Sequence, residues 1–345
     1  MKRFDLTDLA VPVIAAPMAG GPSTPELAAS VTNHGGLGFI AGGLLSADAL
    51  AGQLLATRAL TSGPLAVNLF VPQPRIDANA QWTGYAAALA DEAQRHGVQL
   101  GEPRYEDFQW QAKLDVLQDI RPEVVSFTFG LPSVVECNRL KESGSTVLAM
   151  VTSMPEARQA VGIGIDALVV QGPRAGGHCG SFEAAAVLTD ESLDELVTEL
   201  VRDTDVPIVA AGGLATASDV RRVIAAGAAA AQCGTAFLLA QEAGTAPVHR
   251  AALSSPEFSA TVLTRAFTGR YARALRNRFI DAHEAEAVFG FPQVALMTAP
   301  LIAAAAQAGD PHGFSLWAGT EFRSAKTAFA AEITAELAQL VPQRS

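Results

Sequence analysis

His178 is the residue in this chain best placed to do chemistry. It lies in the stretch Val169 to Phe182, VVQGPRAGGHCGSF, where an apolar β-type run ends in Gln171 and breaks into a loop carrying Gly172, Gly176, Gly177 and Gly180. Histidine titrates near neutral pH and is the side chain best suited to moving a proton there. The glycines let the backbone approach a flat or phosphorylated ligand without Cβ clashes. A flexible glycine loop with a surface histidine is the plainer reading of this stretch alone, and the ends of the other strands decide against it. Cys179 stands beside the histidine, but no acid, base and oxyanion arrangement accompanies it, so it reads as packing, and Cys233 reads as a core strand residue. His34, His96, His249, His283 and His312 show no ligand spacing, and no metal site is expected.

Chemistry of this kind needs partners from other strands. Short apolar runs alternate with helical segments along the first 240 residues, with strands expected at 11–15, 36–40, 64–69, 124–127, 146–151, 167–171, 207–211 and 229–233. Their continuously apolar character implies a parallel sheet covered on both faces, and eight βα units favour a closed (β/α)8 TIM barrel over a doubly wound sheet. In such a barrel the carboxyl ends of all strands share one face. Ala16, Pro17 and Met18, Asn68, Gln171 to His178, Gly212 and Gly213, and Gln232 to Thr235 should therefore meet although they lie far apart in the chain. The glycine turns AAGGLATASDV and QCGTAFL, after the last two strands, are suited to presenting backbone N–H groups and a helix N-terminus to a phosphate. A phosphate there, amides at Asn68 and Gln171 and an apolar first-strand end at Met18 suit a cofactor with a phosphate tail and a hydrogen-bonding ring. FMN is the economical choice, bound noncovalently because no second nucleotide-binding unit is present for an adenylate.

The expected division is a barrel over 1–240 with an excursion at about 70–103, a helical substrate-side unit over 241–320, and a last helix over 321–345 packing back on the barrel. Residues 241–307 read as helical without strand signals. Arg265, Arg270, Arg273, Arg276 and Arg278 read first as a solvated helical face and second as a group near an anionic ligand.

Composition bounds the function. The 345 residues are 49% hydrophobic and 17% charged with 30 glycines, the profile of a well-buried α/β enzyme rather than a disordered chain. A formal net charge of −11 argues against nucleic acid or an anionic membrane as partner. Three cysteines without close pairing indicate neither a disulfide framework nor zinc, and fit a reducing cytoplasm. The start, MKRFDLTDLAVPVIAAPMAGG, has a basic residue pair and an apolar run as a signal peptide does, but Asp5, Asp8, Pro12 and Pro17 interrupt it, and no run reaches membrane-spanning length.

On these motifs the chain resembles the nitronate monooxygenase family, FMN enzymes on a (β/α)8 barrel. APMAGG, AVNLF, AGGH, PIVAAGG, QCGTAFL and GRYARALRNRF carry the resemblance over nearly the whole length. It implies that the backbone of Ala16 to Met18 lies along the flavin ring and that Asn68 and Gln171 bond the ring or its ribityl chain. Gly176, Gly177, Gly212, Gly213, Gln232, Gly234 and Thr235 would surround the tail and phosphate, and His178 falls on the family's catalytic histidine. The implied reaction is oxidation of an alkyl nitronate, such as propionate 3-nitronate, by O2 to a carbonyl compound and nitrite. An NAD(P)H-dependent FMN reductase of the enoyl-thioester or quinone type looks similar at these motifs; a flavin-binding protein without turnover and a cofactor-free lyase are further classes. Arg174 stands where the family often has Glu, and is expected to favour anionic substrates from the rim of the site. The sequence allows a homodimer.

Overall fold

Strands that are apolar at every position can exist only where both faces are covered, and the chain provides that cover by closing the sheet on itself. The computed structural model describes residues 3–76, 79–186 and 191–341. Strands β1 (Val13–Ala15), β2 (Leu37–Ala41), β3 (Ala66–Phe70), β4 (Val124–Thr128), β5 (Thr146–Val151) and β6 (Ala167–Gln171) are followed by a two-residue strand, β7 (Gly177–His178). The barrel resumes with β8 (Ile208–Ala211) and β9 (Ala230–Cys233). Eight parallel strands, β1 to β6 with β8 and β9, form a closed barrel, and β1 pairs with β9 at Val13 and Ala231 to complete it. The TIM-barrel architecture is therefore as the sequence implied.

Residues two apart point to the same side of a strand. One set, Ile14, Leu37, Phe39, Ala66, Val124, Leu148, Val169 and Val209, fills the barrel interior, with Leu6 and Leu9 packed against it. The other, including Val13, Ile40, Val67, Val125, Val147, Leu168 and Ala210, packs outward against the helices. Helix starts are set by side-chain caps: Thr24 and Ser46 cap the first two long helices, while Ser133, Ser192 and Thr216 form reciprocal capping boxes with Glu136, Glu195 and Asp219.

Two expectations change. The segment after β9 is not wholly helical. It contains an antiparallel hairpin, β10 (Thr261–Thr264) with β11 (Ala272–Leu275), and β11 also pairs with β7, joining His178 to Ala272. The alternation in YARAL, with Ala272 and Ala274 inward, is a strand period that the arginines make easy to read as a basic helical face. Accordingly the arginines share no face: Arg270 is fully buried (0%), whereas Arg276 is exposed and paired with Asp281. The final helix is also shorter than expected, Ala330–Ala338 after a single 3-10 turn at Phe322–Ser324. Its Ile333 and Leu337 pack against the barrel-side core.

The excursion and the appended segment form one unit despite their separation in sequence. The excursion supplies helices Asn79–Ala88 and Ala90–His96, and Trp82, Tyr85 and Leu89 share a core with Phe267, Phe279, Val294, Met297 and Leu301. The Tyr85 hydroxyl donates to the Ala266 carbonyl at 2.6 Å. Buried Glu92 pairs with Arg278, and Nε2 of His283 and of His96 lie 3.7 and 3.9 Å from its carboxylate.

Close backbone contact between β2 and the helix Pro25–Asn33 depends on Gly38. A Cβ there would lie 2.2 Å from the Ala28 carbonyl oxygen and 2.4 Å from its Cα. Gly38→Ala should lower stability by about 1–3 kcal/mol or more through overpacking. Gly52→Ala, in a helix where a Cβ meets nothing within 4 Å, should raise it by about 0.5–1 kcal/mol. Urea denaturation midpoints of the two variants test this; opposite signs are expected.

Candidate active site

The inner face that is apolar through the barrel becomes polar at its carboxyl end. Two residues beyond interior Ala66, Val124, Val169 and Ala230 stand Asn68, Ser126, Gln171 and Gln232. The period of two places them on the same side as the apolar residues before them, facing the mouth. A cavity of about 500 Å³ opens there, lined by Ala16, Pro17 and Met18 after β1; Asn68 from β3; Gln171 at the end of β6 with Gly176, Gly177 and His178 beyond it; Gly212 and Gly213 after β8; and Gln232, Gly234 and Thr235 from the end of β9, whereas Gly172, Arg174 and Gly180 are not on its wall.

The individual roles differ from one another. The Asn68 amide N–H groups are committed to Ser126 Oγ at 2.8 Å, Thr128 Oγ1 at 3.0 Å and the Ser126 carbonyl at 3.2 Å, which leaves its Oδ1 as the group offered to a ligand. Gln171 is engaged at both ends. Its Nε2 donates to the His178 carbonyl at 3.0 Å and its Oε1 accepts from the Gly180 N–H at 2.7 Å, so this amide shapes the histidine loop. Met18 N–H donates to Ser23 Oγ at 2.9 Å and Ala16 N–H to the Cys233 carbonyl at 2.9 Å. Thr235 Oγ1 accepts from the Gly319 N–H at 2.9 Å. Gly212 and Gly213 turn through left-handed backbone, φ 107° and 70°, and a Cβ on Gly213 would lie 2.8 Å from that of Arg174. At Gly177, φ 73°, a Cβ would meet nothing within 4 Å, so this glycine serves the conformation of the loop and leaves space beside His178.

His178 is boxed by aromatic rings. Its ring centre lies 5.7 Å from those of Phe129 and Phe291 and 5.3 Å from that of Trp317. Nε2 lies 2.9 Å from Thr268 Oγ1, and that hydroxyl can donate in turn to the Arg270 carbonyl at 3.2 Å. In that arrangement Nε2 carries the hydrogen and Nδ1, which has no partner among the described residues, keeps its lone pair. Burial, and then the nearby Arg270 charge, pull the imidazole down to about 3, so it is neutral at ordinary pH. Burial pushes the Cys179 thiol up to about 11 and the Cys233 thiol up to about 12, which removes both as nucleophiles near neutral pH.

Arg174 is not a free cation at the rim. Its guanidinium pairs with Glu321 and donates from Nε to Thr320 Oγ1 at 3.0 Å; of the two partners in the ion pair, Glu321 lines the cavity. Its charge is balanced locally. Residues that the sequence did not single out include Phe129, Thr268, Phe291 and Trp317 on the cavity wall and Gln73 behind it; His249, read as having no ligand spacing, is also on the wall, and Arg270, read first as part of a solvated face, lies buried behind it. Phe129 sits in left-handed backbone, φ 74°, which costs a bulky residue about 1–3 kcal/mol and persists only where the surroundings enforce it. The neighbouring glycine in FGLP was the sole local hint of that turn.

The nitronate monooxygenase family model matches residues 3–339. A probable nitronate monooxygenase of Staphylococcus aureus (strain MSSA476) is 34% identical over 333 residues, 94% of this chain and 93% of the relative. A solved nitroalkane oxidase from Streptomyces ansochromogenes is 43% identical, with a TM-score of 0.93 over 97% of this chain and 98% of that one. FabK from Thermotoga maritima follows at 26% identity, with a TM-score of 0.74 over 97% of this chain and 94% of that one.

Folding holds His178 neutral to about pH 3 and His249, again through burial, to about pH 4, while an unfolded histidine protonates near about 6.5. Below that value the unfolded chain binds more protons, so this contribution to stability is complete above about pH 6.5 and declines as pH falls towards 3. The urea midpoint should therefore drop between about pH 7 and pH 5.5, above the range where most carboxylates titrate. His178→Gln should show a smaller drop than the parent. An unchanged midpoint in the parent protein would contradict the buried neutral state.

Proposed function

The chain belongs to the nitronate monooxygenase family, and from that membership we propose that it oxidises alkyl nitronates, such as propionate 3-nitronate, with O2 to a carbonyl compound and nitrite, using noncovalently bound FMN. The observation that carries this reading is the neutral, aromatically boxed His178 facing the one cavity that also collects the Asn68 acceptor and the glycine turns after β8 and β9. That donor and acceptor set fits a flavin mononucleotide. Asn68 Oδ1 is left free to accept from a ring N–H, the turns at Gly212–Gly213 and Gly234–Thr235 suit a phosphate, and Ala16 to Met18 provide an apolar edge. When bound, the flavin supplies the redox chemistry.

The protein's own part is to orient the substrate and govern one proton. With the Thr268 hydroxyl donating to the Arg270 carbonyl, His178 Nδ1 is a base able to take the α-proton of a neutral nitroalkane. If the hydroxyl rotates to donate to Nε2, Nδ1 carries the hydrogen and can donate to a nitronate oxygen. Thr268 thus selects between the two roles by one bond rotation. Phe129, Phe291 and Trp317 pack apolar surface around the imidazole, which strengthens either interaction.

Two experiments test the reading. Purified protein should carry a yellow chromophore that acid releases as FMN, and anaerobic addition of a nitronate should bleach it. Bleaching by NADPH or NADH but not by the nitronate would favour a reductase, and release of FAD would overturn the cofactor assignment. In the second, His178→Asn should lower turnover of a neutral nitroalkane about 10²- to 10⁴-fold, the usual worth of a general base, and leave a preformed nitronate much less affected. Equal losses on both substrates with FMN retained would make His178 an orienting group; full activity on both would remove it from the site's chemistry.

A further inference from the structure

The buried Arg270 has neutral partners only. Nη1 donates to Gln73 Oε1 at 2.9 Å, Nε donates to the Cys179 carbonyl at 3.2 Å, and Nη2 bonds the carbonyl and hydroxyl of Ser181. Its Cζ stands 4.1 Å from the centre of the Phe129 ring, the same ring that packs against His178. Among the described residues no carboxylate oxygen comes within ion-pair distance. The carboxylate that acts on it is Glu156, which lies beyond ion-pair distance, is itself bonded only by neutral donors of Thr152 and the Phe182 N–H, and offsets part of the charge. Hydrogen bonds to neutral acceptors satisfy the donors of a buried guanidinium without cancelling its charge. A charge without an ion-pair partner in a poorly polarisable interior acts over a longer distance than one in water. Phe129 and the His178–Thr268 pair lie between this charge and the cavity.

We propose that Arg270 is a positioning residue for the reaction inferred above: it clamps the His178 loop and gives the cavity a positive field that favours a preformed nitronate over its neutral parent. The inference rests on the nitronate reading. When His178 takes a proton from carbon, the C–H bond breaks, an N–H bond forms on Nδ1, and the released electron pair becomes part of the nitronate π system. No oxidant is consumed in that step. It creates an imidazolium and an anion together, and Arg270 disfavours the first as it favours the second. A nitronate that arrives already ionised meets only the favourable half. The same field explains why Arg270 joins burial in keeping His178 neutral. The other ionisable groups around the loop are Cys179, Arg273 and Glu156, with Glu321 and His249 on the cavity wall. Arg174, balanced by Glu321, is not the source of the anion preference.

The test uses the flavin-loaded protein and two ligands of one shape, butyrate as a planar anion and butanamide as its neutral counterpart, titrated by the flavin absorbance change. Butyrate should bind roughly tenfold or more tightly. The preference should persist in about 0.5 M salt, because a buried charge is little screened, and in Arg174→Gln. In Arg270→Met it should disappear, the His178 imidazole followed by NMR should titrate at higher pH, and the KM for a nitronate should rise more than that for the neutral nitroalkane. Arg270→Lys should restore part of each. Equal binding of the two ligands by the unmodified protein overturns the proposal whether or not the Arg270 variants fold, as does an unmoved His178 titration in a folded Arg270→Met. An anion preference in a protein that oxidises no nitronate would overturn the reaction and leave the Arg270 assignment standing.

Discussion

The active-site loop depends on hydrogen bonds that its own sequence cannot make. Between His178 and Phe182 the backbone lies between the barrel mouth and the appended unit, where unpaired peptide groups are costly. Gln171 takes the His178 carbonyl and the Gly180 N–H, the Tyr271 carbonyl takes the Cys179 N–H, Arg270 takes the carbonyls of Cys179 and Ser181, and Glu156 takes the Phe182 N–H. Pairing of β7 with β11 holds Gly177 and His178. The histidine is thus fixed by β6, by the helix after β5 and by a hairpin whose Thr268 stands 90 positions further along the chain. Its direction is set before any ligand arrives, which is the condition for a short-range proton transfer or a directed hydrogen bond.

Electrostatics follow from the same construction. The clamp brings a guanidinium into the interior and the aromatic box buries much of the ring, and both keep the imidazole neutral. The Arg174–Glu321 pair at the rim is half exposed and nearly neutral as a unit, so it contributes little field to the cavity. The cation without an ion-pair partner, Arg270, sits behind the wall.

The appended unit completes the site as well as covering it. Thr268, Phe291 and Trp317 reach the cavity from segments well beyond the barrel, and the excursion helices support them from the far side through Trp82, Tyr85 and the Glu92–Arg278 pair. A barrel alone would present His178 to water. One strained residue also lies here, Phe129 in left-handed backbone, held by the Gln73 bond to its carbonyl at 2.8 Å and by the Arg270 charge over its ring.

Periodicity and turn chemistry are local, so the sequence by itself determined the barrel, the positions of its eight strand ends and the set of residues that meet at its mouth. Continuous apolar runs, capping residues and paired glycines each act within a few residues of where they stand. The β10–β11 hairpin was not legible, because YARAL and its arginines are compatible with either a strand or a basic helix until β7 offers an edge to pair with. Nor was the division of labour within the site. Gln171 could have faced a ligand or the loop, Arg174 could have been free or paired, and Arg270 could have been solvated or buried. The folded loop settled the first through Gly180, and partners distant in the chain settled the other two, Glu321 and Gln73. The energy of a polar group depends on what surrounds it, and only the tertiary structure decides the surroundings.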